Sequence, residues 1–299
     1  MTSNPLGAVT LPSTVQVVDG PGGLTKVVVC TASATAEVHL QGAHVTSWAP
    51  VGAAPVIWMS ERSAFSPGVP LRGGVPLCFP WFGPPPSGDG PLHGFARTAS
   101  WTLADALEQG DDVVLLLTLS HHDVPGTPAW PHAFEARCTL TVGATLTIAL
   151  QVTNLDDEPV TYADALHTYL AVGDVRGVSI TGLEQSGYVD RLVSPEWLEP
   201  TGEPLTIRAE TDRVYAQPGT IVVVDPMGGR SLGVAASGSA NAVVWNPWIA
   251  KSAAMGDFGD DEWTAMVCVE TCNALDGAVT LAPGESHTTT ATIATSPLA

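Results

Sequence analysis

Positive charge is scarce in this sequence. Its 299 residues include 11 Lys and Arg against 30 Asp and Glu, which gives a formal net charge of −19. Proteins that bind nucleic acid neutralise the phosphate backbone with surplus Lys and Arg, so this balance argues strongly against nucleic acid as a natural partner. An anionic small molecule would likewise be repelled unless arginines were locally concentrated around it.

Cysteine is also rare and badly spaced for disulfides or metals. The chain has five cysteines, an odd number spread over its length, which argues against a disulfide framework. Cys268 and Cys272 are four residues apart, not in the CxxC spacing of redox and zinc sites, and no second Cys or His pair accompanies them. The histidines of the segment SHHDVPGTPAWPH are typical of an exposed loop. The sequence therefore predicts no metal site.

Membrane segments, targeting signals and nucleotide motifs are missing as well. No apolar run approaches the roughly 20 residues of a membrane helix. The N-terminal MTSNPLGAVTLPS lacks the basic and apolar regions of a signal peptide. Walker, GxGxxG, HExxH and GxSxG patterns are absent. We therefore expect a cytoplasmic protein with no membrane partner and no nucleotide cofactor.

Helical periodicity is almost absent, and short β-like runs fill the chain instead. About twenty runs are separated by Gly, Pro, Asn and Asp turns, which is typical of an all-β sandwich or barrel. Sheets seldom stay open beyond about ten strands, so a large antiparallel β-sandwich is expected. No composition break divides the chain, and we predict a single domain over residues 1–299 that begins with a loose arm over residues 1–14.

Several local elements can be predicted individually. Two runs, Phe134–Val142 and Thr145–Thr153, are split by Gly143-Ala144, which indicates a tight hairpin. Val160–Leu170 has the composition of one continuous strand. Helical turns are expected near Ser60–Ala64 and Phe258–Trp263.

The stretch Pro70–Trp101 is dense in turn-forming residues, with seven prolines and six glycines. Rigid irregular backbone of this kind often presents a binding surface. The residues between Ser66 and Arg97, which include most of this stretch, contain no evident strand, and a loop of that length is usually functional or disordered. Arg72, His93 and Arg97 lie in this stretch and could form a positive island for a carboxylate or phosphate. The alternative is that the arginines pair with acidic residues of the protein.

Two residues on β-like runs could carry acid and base chemistry. His167 lies in YADALHTYL, where alternation places it on one face with Tyr169; it is either a titrating group or a hydrogen-bonded structural histidine. Glu270 is the only charge in TAMVCVETCN, and a buried carboxylate tends to have a raised pKa that suits a general base. The alternative for Glu270 is a strand-end side chain in solvent.

Two further segments are more ambiguous. Asp212 in ETDRVY could accept a hydrogen bond from a substrate hydroxyl, or form a surface ion pair with Arg213. Trp245 and Trp248 in VVWNPWIAK indicate a rigid aromatic loop that could pack on a sugar face, or ordinary core packing.

Taken together, the segments RGGVPLCFPWFG, LHGFAR, ALHTYL, TDRVY, VVWNPWIAK and VCVE resemble the hexose-6-phosphate mutarotases (glucose-6-phosphate 1-epimerases) of the aldose 1-epimerase, or galactose mutarotase-like, superfamily. The segments occur in the expected order from about residue 35 to residue 290. The resemblance implies a β-supersandwich fold and an isomerase that needs no metal or organic cofactor. The chain departs mildly from the family in the spacer PPPSGDGPL, where Asp89 lies near the expected phosphate site.

The resemblance also implies roles for individual residues. His167 matches the catalytic histidine and Glu270 the catalytic glutamate. Arg72 and Arg97 match the arginines associated with the sugar phosphate, and the sugar-lining residues correspond to His93 and Asp212. The expected reaction is the interconversion of α and β anomers of a hexose 6-phosphate by a monomeric enzyme. The alternatives are a mutarotase of an unphosphorylated aldose and a non-catalytic carbohydrate-binding protein of the same fold.

Overall fold

The computed structural model describes residues 9–124, 126–216 and 219–298. Within these ranges the chain forms 21 strands, one short α helix and four 3₁₀ turns. The strands, in chain order, are β1 Val15–Asp19, β2 Thr25–Cys30, β3 Ala34–His39, β4 His44–Pro50, β5 Leu77–Cys78, β6 Thr102–Gln109, β7 Asp112–Ser120, β8 Phe134–Val142, β9 Leu146–Asn154, β10 Val160–Tyr162, β11 Asp164–Leu166, β12 Tyr169–Ala171, β13 Ser179–Thr181, β14 Tyr188–Asp190, β15 Thr211–Ala216, β16 Ile221–Asp225, β17 Arg230–Ser237, β18 Asn241–Asn246, β19 Met266–Asn273, β20 Val279–Leu281 and β21 Ser286–Pro297. The helix is α1 Trp248–Ala254, and the 3₁₀ turns are Pro21–Gly23, Val175–Gly177, Glu262–Ala265 and Leu275–Gly277.

The largest sheet has eight strands in the order β13-β16-β17-β21-β9-β8-β7-β6. Its middle strands alternate between buried and half-buried positions, as in the sequence DVVLLLTLS of β7. This period of two gives one apolar face that must pack against a second layer. The eight-stranded sheet is therefore the outer layer of a sandwich.

The second layer is a seven-stranded sheet in the order β14-β15-β18-β19-β11-β5, with β12 also paired to β19. Its central strands β18 and β19 are buried at every position, so both faces of this sheet are covered. The face that carries Asn273 packs on the large sheet, where the Asn273 side chain donates to Thr289 Oγ1 of β21 over 2.9 Å. The opposite face of β19 carries Cys268 and Glu270, and it is this face that bears a cavity.

The prediction of an all-β antiparallel sandwich is confirmed, since all ladders between the described strands are antiparallel. The hairpin at residues 143–144 is present, with β8 over Phe134–Val142 as predicted and β9 one residue later than predicted. Two further sheets, β1-β2-β3-β4 and β10-β20, complete the fold.

Four local predictions need correction. Val160–Leu170 is three short strands rather than one, because the backbone N–H groups of Ala163 and His167 turn aside to donate to the carbonyls of Pro80 and Pro76. The stretch between Ser66 and Arg97 does contain a strand, β5, which is two residues long and pairs with β11. The aromatic segment after Trp245 forms α1 rather than a loop. Ser60–Ala64 makes only a turn, and the second predicted helical turn begins later, at Glu262.

One contiguous cluster of buried apolar side chains draws on all the large sheets. We propose on this basis that the chain is one domain, as the sequence predicts. Of the predicted N-terminal arm, residues 1–8 lie outside the described part of the chain, and Val9 and Leu11 are half-buried against the core. Among the described residues, no helix is both long and apolar enough to span a bilayer.

A buried carboxylate joins the two layers and makes stability depend on pH. Asp164 is fully buried and accepts hydrogen bonds from Asn273 Nδ2 at 3.0 Å and Thr289 Oγ1 at 2.7 Å. Burial raises its pKa from 3.8 to about 6, although these hydrogen bonds oppose the change. The folded state therefore binds more protons than the unfolded state between these two values, and stability falls as the pH rises through that interval.

We expect Asp164→Asn to flatten this part of the pH profile. At about 1.4 kcal/mol per pKa unit, the substitution should remove a loss of folding stability of about 2 kcal/mol between pH 4 and pH 6. Urea unfolding at closely spaced pH values measures it, with the exposed Asp89→Asn as the matched control. If the stability of Asp164→Asn falls as steeply with pH as that of the wild type, Asp164 is not the group responsible for this pH dependence.

Candidate active site

A cavity of about 240 Å³ opens on the face of the seven-stranded sheet that carries Glu270. A volume of this size suits one small polar molecule. The cavity is lined by Arg72, Phe82, Gly83, Pro84, Leu92, His93, His167, Tyr169, Arg191, Asp212, Val243, Trp245, Lys251, Met255 and Glu270. Five of the six site residues predicted from the sequence are in this set, and Arg97 is not.

The fold makes His167 and Glu270 a cross-strand pair. Leu166 pairs with Thr271, and Tyr169 pairs with Cys268. Continuing that register across the two intervening residues puts His167 opposite Glu270. Side chains opposite each other on one face of an antiparallel pair are in contact distance. Accordingly, His167 Nε2 lies 3.2 Å from Glu270 Oε1, with the Glu270 side chain 1% exposed.

Burial acts on this pair in opposite directions. It lowers the pKa of His167 well below its usual value, helped by the nearby His93, Arg72 and Arg97. It raises the pKa of Glu270 well above its usual value, helped by Asp212. Both shifts favour the uncharged forms, a neutral imidazole and a protonated carboxyl group.

Tyr169 links the pair to an arginine. Its ring stacks on the His167 ring with centroids 4.9 Å apart and planes 14° from parallel. Its hydroxyl accepts a hydrogen bond of 3.1 Å from Arg72 Nη1. The other side of the Arg72 guanidinium is paired with Asp257 at 3.1 Å, so Arg72 is held at the cavity wall by two fixed partners.

The loop around Arg72 fits only because of a close backbone approach. Gly74 has φ of +70°, and a Cβ there would lie 2.2 Å from the ring of His44. His44 is fully buried, and its Nε2 lies 2.8 Å from the Gly73 carbonyl to which it donates. The RGG sequence therefore lets this buried ring hold the backbone next to Arg72.

His93 enters the cavity from the far end of the same loop. It has φ of +62°, and the next residue, Gly94, approaches the Phe79 carbonyl so closely that a Cβ would lie 2.1 Å from the oxygen. Burial, together with Arg97, Arg191 and Arg72, lowers the pKa of His93 to about 3. The ring is therefore neutral. Its Nδ1 accepts from the Gly83 N–H at 3.2 Å, which leaves Nε2 as a donor.

Of the two remaining predicted site residues, Asp212 lines the cavity and Arg97 does not. Asp212 on β15 lines the cavity, and its carboxylate lies 3.6 Å from Arg191, not beside Arg213. Arg213 pairs with Asp190 instead. Arg97 is half-buried outside the cavity lining and donates to the Leu92 carbonyl at 2.6 Å. Its Nε is buried without a protein hydrogen-bond partner in the described part of the chain.

Four further residues line the cavity, and the sequence predicts a role at a sugar for only one of them, Trp245. Arg191 lies over the Phe82 ring at 5.7 Å, and Lys251 on α1 pairs with Glu210 at 2.9 Å. Tyr169 lies on the predicted face, beside the ring of His167. Of the two uses that the sequence allows for Trp245, the structure supports a place at the cavity, because its ring lies edge-on to His167 at 6.2 Å. No local signal distinguishes Arg191 or Lys251 from ordinary surface cations.

Trp248, the other undecided tryptophan, lies outside the cavity lining and packs on Trp263 at 4.3 Å. Asp89 of the spacer is exposed and also lies outside the lining. The rigid aromatic surface beside His167 is therefore formed by Trp245 and Tyr169, whose rings are 6.0 Å apart.

The chain matches several known proteins over most of its length. A protein from Cenchrus ciliaris, provisionally named a glucose-6-phosphate 1-epimerase, is 36% identical over 285 residues, which cover 90% of this chain and 84% of the relative. An Escherichia coli K12 protein with the same provisional name is 39% identical over 240 residues, 80% of each chain. The crystal structure of a Salmonella typhimurium protein, provisionally named a mutarotase, superposes with a TM-score of 0.88 at 33% identity and covers 97% of this chain and 96% of its own.

The family model described as aldose 1-epimerase matches residues 26–294. That range contains every strand that lines the cavity, together with His167 and Glu270. The sequence-based resemblance is confirmed, and this chain belongs to the aldose 1-epimerase family of isomerases.

Proposed function

We propose that this protein interconverts the α and β anomers of a hexose 6-phosphate, with glucose 6-phosphate as the substrate to test first. The observation that supports this most directly is the contact of 3.2 Å between His167 and Glu270 in a sugar-sized cavity. Arg72, Arg191 and Lys251 supply cations on the wall of the same cavity. The names of the relatives from Cenchrus ciliaris and Escherichia coli point to the same reaction.

The reaction needs one base and one acid and no covalent intermediate. Glu270 would take the proton of the C1 hydroxyl while His167 gives a proton to the ring oxygen. The C1–O5 bond then breaks, and C1 becomes an aldehyde. Rotation about C1–C2 followed by closure on the other face reverses both transfers. Each group contributes roughly 10²–10⁴-fold when it is well placed.

The protonation state sets the first step. The reaction starts with ionised Glu270 and protonated His167, whereas burial favours a neutral His167 and a protonated Glu270. One proton transfer along the contact of 3.2 Å converts one state into the other. Sugar hydroxyls that replace water at both groups would stabilise the charged form through hydrogen bonds.

Other residues would position the sugar. The neutral His93 offers an N–H donor, and Asp212 offers acceptors for hydroxyl groups. Trp245 and Tyr169 provide flat apolar surface beside His167. The phosphate is expected at Arg72, as the sequence predicts, with Arg191 and Lys251 available nearby. The role of Arg97 as a second phosphate ligand stays a prediction.

Anomer exchange of glucose 6-phosphate, measured by NMR exchange spectroscopy against the spontaneous rate in buffer, tests the proposal. We expect faster exchange at catalytic enzyme concentration, with kcat/KM higher for glucose 6-phosphate than for glucose. A preference for glucose would favour the unphosphorylated-aldose alternative. Binding of the sugar phosphate without accelerated exchange would favour a non-catalytic carbohydrate-binding protein.

We further propose that the protein works in the cytoplasm as a monomer, without an organic cofactor. The support is the composition and the resemblance described above. Size-exclusion chromatography with light scattering checks the monomer, and activity of protein dialysed against a chelator checks the metal-independent reaction. A dimer, or activity lost on dialysis, would contradict these proposals.

Tyr169→Phe should separate substrate binding from chemistry. The phenylalanine ring keeps the stack on His167 but removes the acceptor of the Arg72 hydrogen bond. Hydrogen bonds to charged groups contribute roughly 1.5–3 kcal/mol, so we expect KM for glucose 6-phosphate to rise about ten-fold with kcat nearly unchanged. Steady-state kinetics measure both constants. Tyr188→Phe, at a stacked tyrosine pair outside the cavity lining, is the control. A fall in kcat with KM unchanged would show instead that the hydroxyl acts on the reacting atoms.

A further inference from the structure

One buried nucleophile beside the cavity has no part in the proposed reaction. Cys268 on β19 is fully buried and lies two residues before Glu270, so both side chains project from the same face of the strand. Its cross-strand neighbours are Tyr169 on one side and Trp245 on the other, and both of these line the cavity. The thiol therefore lies beneath the aromatic part of the cavity wall.

Cys268 completes a compact set of three metal-binding atoms. One ligand atom each from His167, Cys268 and Glu270 lie within 4.8 Å of one another, and all three residues are buried. Zinc takes nitrogen, thiolate and carboxylate ligands at 2.0–2.3 Å, and sites with three protein ligands keep a fourth position open. The contact of 3.2 Å between His167 and Glu270 already has the spacing of two ligands on one ion.

The same residues have unmet polar capacity. Glu270 Oε2 and His167 Nδ1 are buried without a protein hydrogen-bond partner in the described ranges. A buried carboxylate oxygen without a partner is costly unless it is protonated or meets a cation. A deprotonated thiolate and carboxylate with a neutral imidazole carry two negative charges, which match one divalent ion.

We propose that His167, Cys268 and Glu270 form a site for a soft divalent cation such as Zn²⁺, and that this ion inhibits the enzyme reversibly. Binding would displace two protons, one from the Cys268 thiol and one from the Glu270 carboxyl group, and water from the cavity would take the fourth position. The ion occupies the lone pairs that His167 and Glu270 need for proton transfer. The inhibition rests on the proposed function; the binding itself does not.

The sequence pattern could not reveal this site. The spacing of Cys268 and Cys272 is not that of a zinc-binding cysteine pair, and Cys272 is not one of the proposed ligands. Its partners are its strand neighbour Glu270 and a histidine 101 positions earlier in the chain, brought opposite by the register of β19 with β11 and β12.

Cobalt serves as the spectroscopic probe, because a thiolate bound to Co²⁺ gives a charge-transfer band and a tetrahedral site gives strong visible absorption. The reference protein carries Cys30→Ser, which removes the exposed cysteine. We expect one equivalent of Co²⁺ with both features, displaced by Zn²⁺. Adding Cys268→Ser should abolish the thiolate band and weaken binding about ten-fold or more. Binding without a thiolate band, or a band that persists in Cys268→Ser, would overturn the proposal.

Two measurements on the reference protein alone keep the test decisive if Cys268→Ser folds poorly. Calorimetric titration with Zn²⁺ in buffers of different ionisation enthalpy should report about two protons released per ion; release of none would overturn the site. Anomer exchange should be inhibited by Zn²⁺ and restored by a chelator, and full activity with saturating Zn²⁺ bound would overturn the inhibition. Absence of exchange activity without metal would contradict the proposed function and leave the spectroscopic result standing.

Discussion

Glu270→Gln is expected to lower kcat for anomer exchange by about 10²–10⁴-fold while the protein stays folded. The amide keeps the size of the carboxyl group but cannot take the proton of the C1 hydroxyl. His167→Ala should cause a loss in the same range because it removes the proton donor to the ring oxygen. The two groups act as a unit across a contact of 3.2 Å, so the double variant should lose much less than the product of the single losses.

Saturation kinetics by NMR exchange, with binding of glucose 6-phosphate measured separately by calorimetry, test this expectation. The matched control is Glu135→Gln on β8, an ion-paired surface residue outside the cavity. Glu270→Gln removes a buried group whose pKa is raised, so it is not expected to unfold the protein. Retention of the full rate by either single variant would rule out the acid/base pair.

The second large effect is expected on recognition of the substrate's phosphate group. Arg72→Met should reduce the preference for glucose 6-phosphate over glucose by about 10–100-fold, since a hydrogen-bonded ion contact to phosphate contributes roughly 1.5–3 kcal/mol. The loss should fall mainly on KM, because Arg72 positions the substrate and takes no part in the proton transfers. The rate with glucose should change little, apart from any effect of the lost hydrogen bond to Tyr169.

Asp257 complicates this substitution and also offers a way to check it. In the wild type it pairs with Arg72 at 3.1 Å, and Arg72→Met would leave its carboxylate unpaired near an incoming phosphate. The double variant Arg72→Met/Asp257→Asn removes that repulsion and should still show most of the lost preference. If the double variant regains wild-type preference, repulsion by Asp257 explains the single variant and Arg72 is not the phosphate ligand.

Two other arginines complete the comparison. Arg137→Met, at an exposed ion pair on β8, is the control for loss of a positive charge. Arg97→Met tests the arginine that lies outside the cavity lining and donates to the Leu92 carbonyl. A loss of preference equal to that of Arg72→Met would support a direct role at the phosphate, and a smaller loss would favour support of the loop that carries His93.

Local patterns in the sequence were sufficient for the fold class and for much of the large sheet. The alternation in β7, β8 and β9 gives one buried face, and Gly143-Ala144 marks the turn between two of these strands. Both signals depend on residues within a few positions of each other. The helix α1 was missed because seven residues with Trp248 at the start are too few to show helical periodicity.

Local sequence patterns are also insufficient to show how the candidate active site is assembled. His167 and Glu270 could each be chosen from the sequence as isolated polar residues in apolar runs, and the family resemblance assigned their roles. Their contact depends on the pairing of β11 and β12 with β19. Arg191, Lys251 and Cys268 carry no local mark of function, and only the folded chain brings them to the cavity or beneath its wall.

The sequence by itself therefore determined the all-β class, the alternation of its strands, the family and the chemistry expected of two side chains. The tertiary structure alone decided which residues meet. The reason is physical: turn chemistry and strand alternation are properties of neighbouring residues, whereas sheet order and register follow from burial shared between segments more than a hundred residues apart. The contact of His167 with Glu270, and the nearby thiol of Cys268, are consequences of that register.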